Sequence, residues 1–210
     1  MSYADTPRPG RPKSEEKRAA ILRAATELFL ARGLQNASMD AVAASAGVSK
    51  QTVYSHFANK DELYRAVIVN KIELHGFGSA ALPENCNLDE GLHLLGMRFV
   101  QLLFDPEVIA MHRVVIGESA THPKIAELFY ATGPSNTLYT IADFLARQLE
   151  QHRLAMERDE LGYAARQFLS MICGHYQMLL LMNLHIDISE AALETHVKKV
   201  VCQFLRLYAA

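Results

Sequence analysis

The chain has little of what several protein classes need. It has three cysteines, Cys86, Cys173 and Cys202, with no CxxC spacing and an odd count, which excludes a secreted disulfide framework and a zinc-finger set. Nine histidines are present, but no HxxxH, HExxH or CxxH pattern places two ligands on one helix face, so no metal and no cofactor is expected. There is no phosphate-binding glycine loop, no GxSxG elbow and no Cys–His pair that sequence alone brings together. An enzyme is therefore not expected. Met1 to Arg18 is polar and basic and lacks the apolar core of a signal peptide. The most apolar run, 168–184, is interrupted by Ser170, Gly174, His175, Gln177 and Asn183, too short and too polar for a membrane span. Both points favour a cytoplasmic protein.

What is present is helical periodicity over most of 210 residues, without a convincing strand pattern or hairpin turn. The fold class expected is all-α. A first helix spans about 14–32, with Ile21, Leu22, Ala25, Leu28 and Phe29 on one stripe and Gly33 as its stop. Ser38 caps a second helix, 39–45, and Gly47 supplies the positive φ for a sharp turn. Ser49 caps a third helix that buries Val53 and Phe57 and leaves Lys50, Gln51, Thr52, Tyr54, Ser55 and His56 outside. Asn59 caps a fourth, from Lys60 to about Gly76. A two-turn helix with such an outer face suits the major groove, where amides and hydroxyls read base edges and Lys, Tyr and His hold phosphates. A plain αα-corner with a solvated polar face is the alternative.

Charge distribution bears on that choice. Net charge is −2 overall, but residues 1–65 carry +3 and the remainder −5. A basic front on an acidic body confines any nucleic-acid footprint to one end.

Beyond the fourth helix, 78–87 reads as a loop and Leu88 to Phe104 as a fifth helix. Asp105-Pro106-Glu107, His122-Pro123 and Gly133-Pro134 each start another, the last running to about Leu154. The final pair is expected at about 159–184 and 189–208. In the last helix Leu193, Val197, Val200, Val201, Phe204, Leu205 and Tyr208 form a continuous stripe. Apolar area of this extent suggests a homodimer through a four-helix bundle of these two helices from each protomer; a central helix wrapped by its own chain is the other reading.

The ordered set Ala25, Phe29, Gly33, Ser38, Ala43, Ala46-Gly47-Val48-Ser49, Val53-Tyr54, His56-Phe57 and Lys60-Asp61-Glu62-Leu63 closely resembles the N-terminal domain of the TetR/AcrR family of bacterial transcriptional regulators. The resemblance implies a flexible basic arm (1–13), a three-helix helix-turn-helix domain (14–65) and a helical effector-binding and dimerisation domain (66–210). DNA contacts are expected from Ser38, Ser49, Lys50, Gln51, Thr52, Tyr54, His56 and Lys60, on double-stranded DNA with a palindromic operator. Arg8, Arg11 and Lys13 add either an AT-hook-like minor-groove contact, although Pro9 departs from that pattern, or a nonspecific phosphate contact.

In the body, Met97, Met111, Phe144, Phe168, Met171 and Met178 are adaptable apolar candidates for a small-molecule effector. His112, Arg113, Glu118 and His175 are polar groups on apolar helices that orient a ligand or satisfy one another internally. Asp105-Pro106, Arg113-Val114-Val115-Ile116-Gly117-Glu118 and Pro123 resemble an AefR-like subgroup of that family. The expected function is a homodimeric, DNA-binding regulator, a repressor more readily than an activator because occluding a promoter needs no polymerase-contacting surface. A constitutive DNA-binding regulator or activator without an effector pocket is the alternative, with a helical enzyme or a metal or redox sensor less favoured, and Cys173 and Cys202 are expected to be buried in helices and not redox-active.

Overall fold

The structure, a computed structural model, describes residues 12–77, 82 and 86–210, without the side chains of 12 and 13. Among the described residues the chain is all-α, the sole strand-like feature being one antiparallel bridge between Leu154 and Ala209. It divides into two units, Met1–Val67 and Ile68–Ala210. The division falls inside one uninterrupted helix.

The first unit is built from α1 (Pro12–Asn36), α2 (Met39–Ser45), α3 (Lys50–His56) and the start of α4 (Lys60–Leu74). Gly33, with φ 76° and ψ 164°, breaks the helical path of α1, so the regular helix stops where a left-handed residue was expected and a short turn carries on to Asn36. The stripe of α1 is buried through Ile21, Leu22, Ala25 and Phe29, while Leu28 is half-buried. Phe29 meets the edge of Tyr64 on α4 with centroids 5.5 Å apart. Val53 and Phe57 complete this core, so α3 is anchored on one face. Burial of side chains this size stabilises by about 1.5–3 kcal/mol each.

The second unit contains α5 (Leu88–Phe104), α6 (Pro106–Ser119), α7 (Pro123–Thr132), α8 (Pro134–Glu150), α9 (Leu161–Cys173), α10 (Tyr176–Leu181) and α11 (Glu190–Tyr208). Its core is a layer of α5, α8, α9 and α11. Close approach depends on two glycines of α5: a Cβ at Gly91 would sit 2.3 Å from the Phe144 ring, and one at Gly96 would sit 2.7 Å from Val197. Phe168 and Phe204, both fully buried, meet edge to face at 5.3 Å.

Two expectations change here. The helix expected over 159–184 is two helices, because Gly174 adopts φ 48° and ψ −135° and ends α9. A single 3-10 turn, Arg158–Glu160, precedes it. The stripe on α11 is also covered by its own chain: Val197, Val200, Val201 and Phe204 are buried against α5 and α9, and Leu193, Leu205 and Tyr208 are half-buried. That stripe alone therefore requires no second protomer. Exposed apolar side chains remain nearby, Tyr163 at 59 % and Leu207 at 58 %.

Candidate nucleic-acid interface

Backbone chemistry sets the geometry of the α2–α3 corner. The Ser38 hydroxyl accepts from the Ala41 N–H at 3.1 Å, and Ser49 does the same for Thr52 at 3.1 Å. Between the two caps Gly47 has φ 66°, a left-handed conformation that costs glycine nothing. The Val48 N–H then donates to the Ala43 carbonyl at 3.1 Å, closing α2. Asn59 Oδ1 accepts from Glu62 N–H at 2.9 Å while Glu62 returns a carboxylate oxygen to Ala58 N–H at 2.7 Å, so α4 also begins with reciprocal capping.

With Val53 and Phe57 inward, Lys50, Gln51, Tyr54 and Ser55 form an exposed row at helical spacing. Thr52 and His56 are half-buried, and the Thr52 hydroxyl lies 2.8 Å from that of Ser49. Tyr54 is 45 % exposed with its ring 5.9 Å from the Lys50 ammonium. Lys50 pairs with Asp40 across the corner at 2.8 Å, and that hydrogen bond raises the Lys50 pKa, so the lysine is cationic at neutral pH. The row presents a cation, an amide, a phenol and a hydroxyl, a set that can hydrogen-bond both base edges and phosphates.

Lys60 is placed differently from expectation. Its ammonium donates to the carbonyls of Leu34, Gln35 and Ala37 at 2.7, 3.0 and 3.1 Å, closing the end of α1 instead of reaching outward. Arg8 and Arg11 lie outside the described residues, as does the side chain of Lys13. Arg18, not singled out in the sequence, stacks over Phe57 at 5.4 Å.

The second unit scatters the residues expected to touch a ligand. Phe144 and Phe168 are fully buried in helix packing, and Met111 is buried. His112 Nδ1 lies 2.8 Å from the Val108 carbonyl, its ring meets Phe129 at 4.9 Å, and burial lowers its pKa. Arg113 donates to the carbonyls of Leu180 and Leu181 and to Asn183, so it caps the end of α10. Met97, Glu118 and Met171 are half-buried; His175 and Met178 are exposed. Open clefts lined by described residues of this unit include two of small-molecule size. One, of about 450 Å³, is lined from α4 and α8; the other, of about 610 Å³, from α5 and α11. None of the ten residues lines either cleft.

A cluster at the end of α4 was not read from sequence. Asp105 caps α6 by accepting from Glu107 and Val108 N–H, and also takes Lys71 at 3.0 Å and His75 at 2.9 Å; Lys71 reaches Glu107 at 2.7 Å. Burial alone would raise the Asp105 pKa, but the hydrogen bonds from His75 and Lys71 outweigh it and hold the carboxyl below its ordinary value. Cys173 fits its expectation, since burial pushes its thiol to about 11, whereas Cys202 is exposed and not enclosed by apolar neighbours.

A capped two-helix corner with an outward polar row defines a helix-turn-helix DNA-binding protein, and comparison with known proteins gives the family. Residues 21–67 match the profile of bacterial regulatory proteins of the tetR family, and residues 90–210 match that of the AefR-like transcriptional repressor C-terminal domain. The chain belongs to the TetR family of bacterial transcriptional regulators, whose members are DNA-binding proteins and not enzymes. It is 46 % identical over 59 residues to the transcriptional activator FasR of Mycolicibacterium smegmatis, a match spanning 28 % of this chain and 27 % of FasR. It is 27 % identical over 159 residues to the regulator UidR of Escherichia coli, 71 % of each protein. Its fold is similar to that of the flavonoid-responsive regulator FrrA, with a TM-score of 0.72, 31 % identity and coverage of 93 % of this chain and 98 % of that one. No helix among the described residues is long and apolar enough to cross a membrane.

Proposed function

We propose that this chain is a homodimeric repressor, acting in the bacterial cytoplasm and nucleoid, that holds a palindromic operator and leaves it when a small, largely apolar molecule binds the second unit. The observation that carries the reading is the exposed row Lys50, Gln51, Tyr54 and Ser55 on a helix capped at Ser49 and anchored by Val53. Gln51 and Thr52 read base edges; Lys50, Tyr54 and His56 hold phosphates; and the helix starts at Ser38 and Ser49 lie against the backbone. A dimer sets two such helices about 34 Å apart, one turn of duplex.

Repression is supported by the match of 90–210 to an AefR-like repressor domain. The similarity to FasR, an activator, spans only 59 residues and carries no information on the direction of regulation. Response to a small molecule is supported by the likeness to FrrA across most of the chain. Dimerisation through α9, α10 and α11 is supported by the exposed Tyr163 and Leu207 and by the exposed Met178 and Met182. An effector acts by its difference in affinity between DNA-competent and DNA-released states, and α4, continuous across the two units, is the element that such a ligand would bias.

The test is a reporter gene under a promoter that binds the protein, in cells with and without this chain, paired with sedimentation of the protein on that duplex. Higher expression without the chain and two chains per duplex support the reading. Lower expression makes it an activator, and one chain per duplex removes the dimer.

A further inference from the structure

The cleft on the second unit between α4 and α8 has a particular chemical make-up. From α4 come Val69, Ile72 and Glu73, at positions three and four apart and therefore on one face. From α8 come Asn136, Tyr139, Thr140, Asp143 and Arg147, again one stripe. Gly133, at the start of α8, allows the approach, since a Cβ there would lie 3.3 Å from Ile68 and 4.0 Å from Ile72. The floor is apolar and fixed: Ile72 and Phe77 are buried, and Phe77 is backed by the edge of Phe99 at 6.3 Å. A volume of about 450 Å³ falls within the range of small-molecule sites.

The wall on α8 supplies hydrogen-bonding groups. The Asn136 amide nitrogen donates to the Thr132 carbonyl at 2.8 Å, and the Thr140 hydroxyl donates to the Asn136 carbonyl at 3.0 Å. The Asn136 side-chain oxygen and the Tyr139 hydroxyl are then the groups that meet a ligand hydroxyl. Charge decides the rest. Arg147 is held by Asp143 at 2.8 Å, and Glu73 adds a second carboxylate, so the rim has one cation against two anions. An anionic ligand meets this net negative rim with little help from Arg147, whose pair with Asp143 is 44 % exposed on both sides, so the discrimination against it is modest. A cationic ligand gains little, because Glu73 is exposed and Asp143 already paired.

We infer that this α4–α8 cleft is the effector site and that it takes a neutral, hydroxyl-bearing molecule in preference to a carboxylate of the same shape. The inference rests on reading the chain as a ligand-responsive regulator, and its test separates the two. Biphenyl-4,4′-diol and biphenyl-4,4′-dicarboxylate, a matched neutral and anionic pair, are titrated calorimetrically into the full chain, into Thr140→Trp, which fills the cleft, and into Tyr139→Ala, which removes part of its wall. Tyr139 is 72 % exposed, so its truncation leaves the fold intact. The diol binds the wild type, the dicarboxylate binds a few-fold more weakly, and both variants weaken the diol by a similar factor. No diol binding, equal binding of the two compounds, or unchanged binding in Thr140→Trp each overturns the assignment. Operator affinity measured with the diol distinguishes the failures: cleft binding without DNA release removes the regulatory reading and keeps the site, whereas DNA release by the diol in Thr140→Trp keeps the regulatory reading and removes the site.

Discussion

The Lys60 ammonium lies 2.7 Å from the carbonyl oxygen of Leu34 and also takes the carbonyls of Gln35 and Ala37. One side chain thus satisfies three carbonyls left over where Gly33 breaks α1, and it fixes the start of α4 to that turn. Replacing it by methionine keeps the stem and removes the donors. Lys60→Met is expected to destabilise the first unit by roughly 1–3 kcal/mol, read as a lower melting temperature without DNA. Because the ammonium faces inward, the salt dependence of DNA binding should keep its slope; a slope lower by about one would mean that Lys60 leaves the carbonyls for a phosphate.

Asp40 holds Lys50 at 2.8 Å on the face offered to DNA. The pair is solvent-exposed, so breaking it changes stability little. Its effect falls on binding. A carboxylate beside the recognition helix competes with phosphate for that lysine, and phosphate contacts dominate nonspecific affinity. Asp40→Asn is expected to raise affinity for random-sequence duplex by a few-fold while leaving the melting temperature near wild type. Unchanged affinity in a filter-binding titration would show that Lys50 does not reach DNA.

At Gly47 the backbone has φ 66° and a Cβ would meet no atom within 4 Å. Space is therefore no obstacle, and the whole penalty is conformational. Gly47→Ala should cost about 1–2 kcal/mol, and Gly47→Asn less, since asparagine tolerates the left-handed region. Denaturant midpoints of the two variants check that order. Equal penalties would point to a contact in place of backbone strain.

The Asp105 cluster gives a pH signature. Its carboxyl is held below the ordinary value of 3.8 in the folded chain, so the unfolded chain binds the proton more readily. The associated stabilisation is fully present above that ordinary value and is lost as pH falls through the lowered folded one. Lys71 is the opposite case. Burial lowers its pKa, but its hydrogen bonds to Glu107 and Asp105 outweigh this and raise it above 10.5, so its contribution is present below 10.5 and lost as pH rises further. Asp105→Ala, which removes the cap and both partners, should cost about 1–2 kcal/mol at pH 7. The gap from wild type should narrow below pH 3.8, and a constant gap would mean that the carboxyl is not held below its ordinary value.

The elements legible in the sequence are those marked by local chemistry. Ser38 and Ser49 cap the helices that follow them, and Asp105-Pro106 starts α6, because a cap needs only residues within one turn. The row Lys50, Gln51 and Tyr54 was likewise readable, since Val53 and Phe57 fix which face is buried. What stayed hidden depends on distant partners. Lys60 looked like an end-of-helix phosphate contact because its carbonyls come from 23 to 26 residues away. Gly174 sits in an apolar run that reads as one helix, and only its φ of 48° reveals the break. Arg113 looked like a ligand group for the same reason: the exposed carbonyls of α10 that it caps exist only once that break is made. Phe144 and Phe168 were typed correctly as apolar, but composition does not distinguish a pocket wall from a side chain filling the space over Gly91 or Gly96.

The central claim is that the outward row of α3 reads a palindromic operator as a dimer. Selection of bound duplexes from a random pool, at two salt concentrations and with both wild type and a Gln51→Ala, Tyr54→Ala double variant, tests it most directly. The account predicts an enriched palindrome with half-sites about one helical turn apart, lost in the double variant while weak salt-sensitive binding persists. Enrichment of no sequence, or of the same palindrome by the double variant, would contradict it.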